Sequence, residues 1–351
     1  MDDDRQDLLS ETTGQGHPSS TGPVPVPSPQ PPRKKGLWRG LWGIVTFLSM
    51  AANIALAVLL VGVLALFATG GLRGGFQEEV LQPGPHTAKI VVIPIEGVID
   101  ADQARRVTGQ LKAAREDQAV KGLILRIDSP GGSISGSDQI YHEVRRFRED
   151  QGKPVLAFLQ GLAASGGYYT AVACDRILAE PTVITGSIGV ILGHFVFGDL
   201  LEKKLGVQPV ILKSGQKKDW PSSYTPPTEE QLQYLQERVI APAYERFFSV
   251  VAEGRKDVLT PDQIRPLADG GVYTAPEARD KRLIDEIGYL DDAVRVVQSM
   301  AGLDKAQVVE YQQTFSWTSL LAAKSGLGIK LDRSSLLELG LPRAMYLWGG
   351  Y

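Results

Sequence analysis

The sequence predicts an α/β domain preceded by one transmembrane helix. Three observations carry that expectation. Near-continuous apolar runs alternate with helix-patterned ones, glycine-bearing loops follow the apolar runs, and the stretch from Gly40 to Leu72 holds no charged residue at all. At 351 residues with 43% hydrophobic content, the chain has enough apolar material for a folded core. Its net charge of -3 offers no basic field for nucleic acid, which excludes that partner class. One cysteine, Cys174, cannot form an internal disulfide.

Residues 1–36 are polar and proline-rich, with "TGPVPVPSPQPP" too poor in large apolar side chains to offset ordering entropy, and are expected to form a disordered cytoplasmic tail. Residues 37–72 are the expected anchor. The basic cluster "RKKGLWR" stands at its start with Trp38 and Trp42, which favours a cytoplasmic N-terminus and an extracytoplasmic C-terminal bulk. A cleaved signal peptide is the competing explanation, but its apolar region usually runs only about 7–15 residues after a short basic start. A buried globular helix would show a polar face, and this segment has none.

Beyond the glycine-rich joint at Gly70–Gly75, "KIVVIPIEGVI" from Lys89, "KGLILRID" from Lys121 and "KPVLAFLQ" from Lys153 read as buried strands. Ile140, Val144 and Phe147 mark one face of a helix between the second and third, and the alternation implies a largely parallel sheet covered on both sides. Capping boxes "TEEQ" at Thr228, "TPDQ" at Thr260 and "TAPE" at Thr274 open later helices. The last stretch, ending "YLWGGY", has no clear period.

The chemistry concentrates in three loops: "DSPGGS" at Asp128–Ser133, "ASGGYY" at Ala164–Tyr169 and "TGSIGV" at Thr185–Val190. "GLAASGGYYTA" reads as the entry to a helix with Ser165, Gly166 and Gly167 at its first turn. Glycine costs a helix up to about 1 kcal/mol relative to alanine, so the pair marks a close backbone approach. Backbone N–H groups freed by glycine can stabilise an oxyanion, and Gly132 and Gly166 are the expected donors, with Ser165 as candidate nucleophile. Ser165 as a plain N-cap is the simpler alternative, and the G-x-S-x-G hydrolase spacing is absent. Of the histidines, His17 and His86 lie near the tail and anchor, His142 sits in a charged helix, and His194 has no orienting acid beside it. Lysine is the other choice of base, and Lys213, Lys217 and Lys218 follow a strand-like "VQPVIL"; a solvated loop is the ordinary reading of such a pair. To act, a lysine must lose several units from its usual pKa of about 10.4. Cys174 reads as a small buried helix residue.

Taken in order behind a membrane span, "DSPGG", "AASGGYY", "TGSIGV" and "KSGQKKD" resemble the signal peptide peptidase A (SppA) family of serine-lysine peptidases, over roughly Ile90 to Met300. The resemblance implies a single-copy peptidase domain over residues 88–300 with a ClpP/crotonase-like fold. It implies Ser165 as nucleophile, Lys218 as general base with Lys217 its neighbour, Ser187 as hydrogen-bond partner of that lysine, and Gly132 as an oxyanion donor. No cofactor or metal is implied. The partners implied are peptide substrates such as signal-peptide remnants, the membrane, and further copies in a homo-oligomeric ring, with Lys218 acting on the Ser165 of its own chain or on that of a neighbour. An inactive membrane scaffold and a crotonase-type acyl-CoA enzyme are the alternatives. Residues 301–351 carry no motif and receive no role.

Overall fold

The computed structural model describes residues 36–68, 76–313 and 343–348; the proline-rich tail and most of the stretch after Gln313 lie outside them. The chain divides into two compact units, Met1–Leu72 and Arg73–Tyr351. The first contains helix α1 (Gly36–Ala68), whose segment Gly40–Gly62 has a mean hydropathy of 2.4 and is long and apolar enough to cross a membrane. Its few polar side chains bond back to the helix itself. The Thr46 hydroxyl donates to the Trp42 carbonyl, and the Asn53 amide donates to the Ser49 carbonyl.

The second unit begins with β1 (Phe76–Gln82), β2 (Lys89–Glu96), α2 (Ala101–Glu116), β3 (Val120–Ser129), the short β4 (Gly131–Ser133), α3 (Ile134–Gln151), β5 (Val155–Ala164) and α4 (Gly166–Ala171). Strands β6 (Arg176–Ala179), β7 (Ile184–Gly186) and β8 (Ile191–Gly193) follow. Then come α5 (Glu229–Leu235), α6 (Ala241–Gly254), α7 (Pro261–Ile264), β9 (Val272–Thr274), α8 (Ala275–Asp280), β10 (Glu286–Ile287), α9 (Leu290–Met300), β11 (Gln307–Gln313) and β12 (Arg343–Leu347). The main sheet runs β1-β11-β2-β3-β5-β6-β10, parallel except for β1, with β7 beside the end of β5 and β9 antiparallel to β7. A second small sheet places β12 between β4 and β8.

The continuous apolarity of the strands follows from burial on both faces. Val91, Ile93, Leu123, Leu125 and Ala157 share one core with residues of α2, α3, α4 and α6. Their alternates Ile90, Val92, Ile124, Leu156 and Phe158 pack against Val294 and Val297 of α9. Each such large side chain contributes about 1.5–3 kcal/mol through burial. The helix marked by Ile140, Val144 and Phe147 is α3, capped by Ser133, whose hydroxyl accepts from the Gly136 N–H at 3.1 Å. The boxes at Thr228 and Thr260 close reciprocally, and the Glu277 carboxylate accepts from the Thr274 N–H. A wide π-type turn over Gln236–Ile240 joins α5 to α6 just before Pro242, which has no N–H to donate one turn back.

Three local expectations need correction. Gly161–Ala164 ends a strand, and the helix starts only at Gly166. Val207–Leu212 forms no ladder with any described strand and stands exposed. Cys174 is buried but sits in the bend after α4, not in a helix, and burial pushes its thiol well up.

Candidate active site

Ser165 sits at the turn from β5 into α4 with φ 52° and ψ −115°. A non-glycine residue there costs on the order of 1–3 kcal/mol, so its surroundings must hold it. They do so through backbone. The Ser165 N–H donates to the Gly186 carbonyl and its carbonyl accepts from the Tyr169 N–H, both at 2.8 Å. Helix α4 is wholly buried, with the Tyr168 hydroxyl donating to the Leu283 carbonyl at 2.7 Å and the Tyr169 hydroxyl to Asp138 Oδ1 at 2.5 Å. Ser165 is only 1% exposed, and its hydroxyl does not cap the helix. The simple N-cap role is therefore unfilled.

The "SPGG" loop lies against this turn. Gly131 has φ +98°, and a Cβ added there would lie 2.6 Å from the Gly166 nitrogen and on the Tyr346 carbonyl. A Cβ on Gly132 would strike the Ile99 backbone, and one on Gly166 would lie 3.0 Å from the Gly132 nitrogen and 2.5 Å from Ser137 Oγ. Only glycine allows these backbones to meet so closely. Ile99 pins the loop from one side: its N–H donates to the Gly131 carbonyl at 2.8 Å, and its carbonyl accepts from the Ser133 N–H at 2.7 Å. The Gly166 N–H, in the first turn of α4, is one of those a helix leaves without an intrahelical acceptor.

Ser187 is one residue beyond the carbonyl that holds Ser165. It too has positive φ, 49°, is 7% exposed, and donates its N–H to the Gly271 carbonyl at 2.7 Å. Strands β5 and β7 bring the two serines together through the pairing Ala164↔Gly186. A cavity of about 400 Å³ opens beside Ser187, lined also by Val190, Ile240, Tyr244 and Leu347.

The lysines lie on a different kind of surface. Lys213 Nζ pairs with Asp219 at 2.7 Å, and Lys217 Nζ sits 4.4 Å from the Tyr234 ring centre and 5.4 Å from that of Trp220. Lys218 is exposed, and among the described residues its ammonium makes no ion pair or hydrogen bond. No hydrogen bond joins it to Ser165 within the chain. His194 is engaged elsewhere, its Nε2 2.9 Å from the Ser222 carbonyl oxygen, while His86 meets Gln307 and His142 is exposed on α3. None of the three bonds Ser165. The structure thus brings Ser165, Gly132, Gly166 and Ser187 together, and among the described residues Lys218 bonds to none of them.

The periodless "YLWGGY" stretch concealed one participant. Strand β12 lies antiparallel to β4 with Tyr346 opposite Gly132, and the Trp348 N–H donates to the Pro130 carbonyl at 2.8 Å. The Tyr346 ring is fully buried, 5.0 Å from the Tyr169 ring and 4.7 Å from that of Phe247, with its hydroxyl donating to the Ala243 carbonyl at 2.8 Å. The alternation in "RAMYL" is too brief to announce a strand whose partners lie about 150 and about 215 residues away.

Known proteins share this arrangement of sequence. The model for peptidase family S49 matches residues 147–304, and that for Clp protease matches residues 85–179. The chain is 36% identical to the "Putative signal peptide peptidase SppA" of Enterococcus faecium, across 78% of this chain and 85% of that protein. It is 31% identical to "Serine protease SPPA, chloroplastic" of Arabidopsis thaliana, across 76% of this chain and 39% of that one. To "Protease 4" of Salmonella typhi it is 36% identical, across 58% and 32% respectively. With its ClpP-like α/β fold and a strained serine turn flanked by glycine loops, the chain belongs to the signal peptide peptidase A family of serine-type peptidases, peptidase family S49.

Proposed function

We propose that this chain is a membrane-anchored serine endopeptidase in which Ser165 is the nucleophile and Lys218 of a neighbouring copy is the general base. The lysine, as neutral amine, takes the hydroxyl proton while Oγ attacks a peptide carbonyl; the N–H groups of Gly132 and Gly166 hold the oxyanion. The lysine ammonium returns the proton to the departing amine, and water hydrolyses the acyl-enzyme. Ser187 orients the lysine. The observation that carries this reading is the split itself: a buried serine held at φ 52° beside two glycine backbones, and an exposed lysine with no partner in its own chain among the described residues.

The substrate class is hydrophobic peptide, signal-peptide remnants among them, bound as a strand between β4 and β8 where β12 now lies. An aromatic or apolar side chain opposite Gly132 would fill the Tyr169–Phe247 pocket that holds Tyr346. The exposed apolar run Val207–Leu212, in which Val210 is 82% and Leu212 93% exposed, supports assembly of copies into a ring. α1 tethers the peptidase unit outside the cytoplasm, as the basic cluster before it favours.

A serine-reactive phosphonate should label the purified full-length protein and not Ser165→Ala. Peptide hydrolysis should rise from neutral to alkaline pH as the base loses its proton, and disappear in Lys218→Ala. Undiminished hydrolysis in Lys218→Ala, or a flat profile over that range, contradicts the mechanism. Absence of labelling would favour a scaffold or an acyl-CoA enzyme.

A further inference from the structure

The main sheet carries an irregularity immediately before the serine. β3 and β5 run in step from Leu123↔Val155 to Ile127↔Leu159, and the next paired residues are Ser129 and Ala163. Here β3 advances by two residues and β5 by four, so β5 is bulged over residues 160–162. A bulge bends its strand and re-aims the residues beyond it. On the far side β5 also changes neighbour: Leu156–Leu159 pair with β6, whereas Leu162–Ala164 pair with β7. The last three residues before Ser165 thus take their direction from this bend.

One exposed side chain bonds across the bend. Asp128 Oδ1 accepts from the Leu162 N–H at 3.1 Å, and Gly161 turns beside it at φ +55°, where a Cβ would stand 3.1 Å from the same oxygen. The adjacent Ser129 performs the matching task for the glycine loop. Its hydroxyl donates to the Gly97 carbonyl at 2.6 Å and accepts from the Gly131 N–H at 3.0 Å. The Asp128 carbonyl itself accepts from the Gly97 N–H at 2.8 Å. Two consecutive residues at the end of β3 therefore brace the nucleophile strand and the loop it must face.

We propose that Asp128 is a positioning residue for Ser165, its carboxylate acting as the hydrogen-bond acceptor that fixes the 160–162 bulge and hence where the serine Oγ stands relative to the Gly132 and Gly166 amides. The inference rests on the serine-peptidase reading above. Asp128 touches no reacting atom in this role, and it needs only an acceptor oxygen, which an asparagine also provides.

The test compares Asp128→Ala, Asp128→Asn, Gly161→Ala and Ser165→Ala in the full-length protein, by peptide hydrolysis and by amide exchange over residues 159–165. Misplacing the nucleophile without removing it should lower kcat of Asp128→Ala by about tenfold to hundredfold with KM little changed. Asp128→Asn should stay within about threefold of wild type, since the acceptor remains. Exchange over the bulge should rise in Asp128→Ala and stay at the wild-type level in Asp128→Asn. Gly161→Ala attacks the bulge from its other side and should show the same kcat loss, which keeps the test open should Asp128→Ala not fold. Wild-type kcat and exchange in Asp128→Ala, or an Asp128→Asn as impaired as Asp128→Ala, overturns the proposal. A Ser165→Ala as active as wild type overturns the peptidase reading instead, and the exchange comparison alone then decides whether Asp128 braces the bulge.

Discussion

The turn that carries Ser165 and the segment that carries Lys218 are built on opposite principles. Ser165 stands at the end of a central strand, 1% exposed, in a positive-φ conformation held by backbone bonds from two neighbouring elements. Lys218 stands on a short 3₁₀ turn, exposed, after a run in which Leu212 keeps 93% of its surface open. Strain of about 1–3 kcal/mol is tolerable in the first place because the core over-determines it. In the second nothing is over-determined, and an apolar run left open on a single copy calls for cover. The contrast teaches that the core of the chain itself holds the serine while the surroundings of the lysine stay open, as the proposed pairing between copies requires.

The sharpest way to break the rigid half is through its scaffold. Arg255 is 5% exposed and places its guanidinium on Asp285 at 2.7 Å and on the Arg282 carbonyl, while Asp285 also accepts from the Ile177 N–H of β6. Arg255→Ala should cost about 3–5 kcal/mol in urea unfolding, because it removes the buried partner of the pair and strands a partly buried carboxylate. A loss below about 1 kcal/mol, the level of a surface pair, would mean that the pair does not hold the sheet edge. Gly132→Ala acts closer to the chemistry, since its Cβ would meet the Ile99 backbone and displace the loop. It should lower kcat by about 10²–10³, the usual cost of losing an oxyanion donor. Wild-type kcat in that variant would remove Gly132 from the site.

On the open half, Leu212→Asp should leave unfolding of a single copy within about 0.5 kcal/mol, as surface changes do. It should nevertheless shift sedimentation toward smaller species and depress hydrolysis in step. Unaltered assembly would send the search for the interface elsewhere. The smallest effect returns to the aromatic pocket. Burial raises the Asp138 carboxyl, but hydrogen bonds from Tyr169 and Arg246 outweigh it and the net shift is downward. A folded-state value below the unfolded one, about 3.9, gives stability that is present above that value and lost as pH falls through the folded one. Replacing Arg246 with glutamine should flatten this acid limb in urea midpoints taken from about pH 5 down to about pH 3.

Much of the frame was legible in the residues, for physical reasons. Strands buried on two faces cannot alternate, so Ile90–Ile95 and Leu123–Ile127 declare a covered parallel sheet. Glycines forced by backbone contact declare themselves at Gly132 and Gly166. The hidden remainder depends on long-range register. β12 is five residues whose meaning comes wholly from lying between β4 and β8, and the two-residue slip before Ser165 leaves no mark in composition. "VQPVIL" misleads because it has the apolarity of a buried strand and no ladder partner among the described residues. Apolarity records that a segment is to be covered and is silent on its cover.

The central claim, that the two halves meet between copies, is most directly tested by mixing two dead proteins. Ser165→Ala and Lys218→Ala, each inactive alone, are co-assembled after dissociation and assayed for peptide hydrolysis. If serine and lysine pair across neighbours, random mixing restores about a quarter of the wild-type sites in a closed ring. A mixture that assembles to wild-type size and stays inactive would place both residues of each site in one chain and contradict the account.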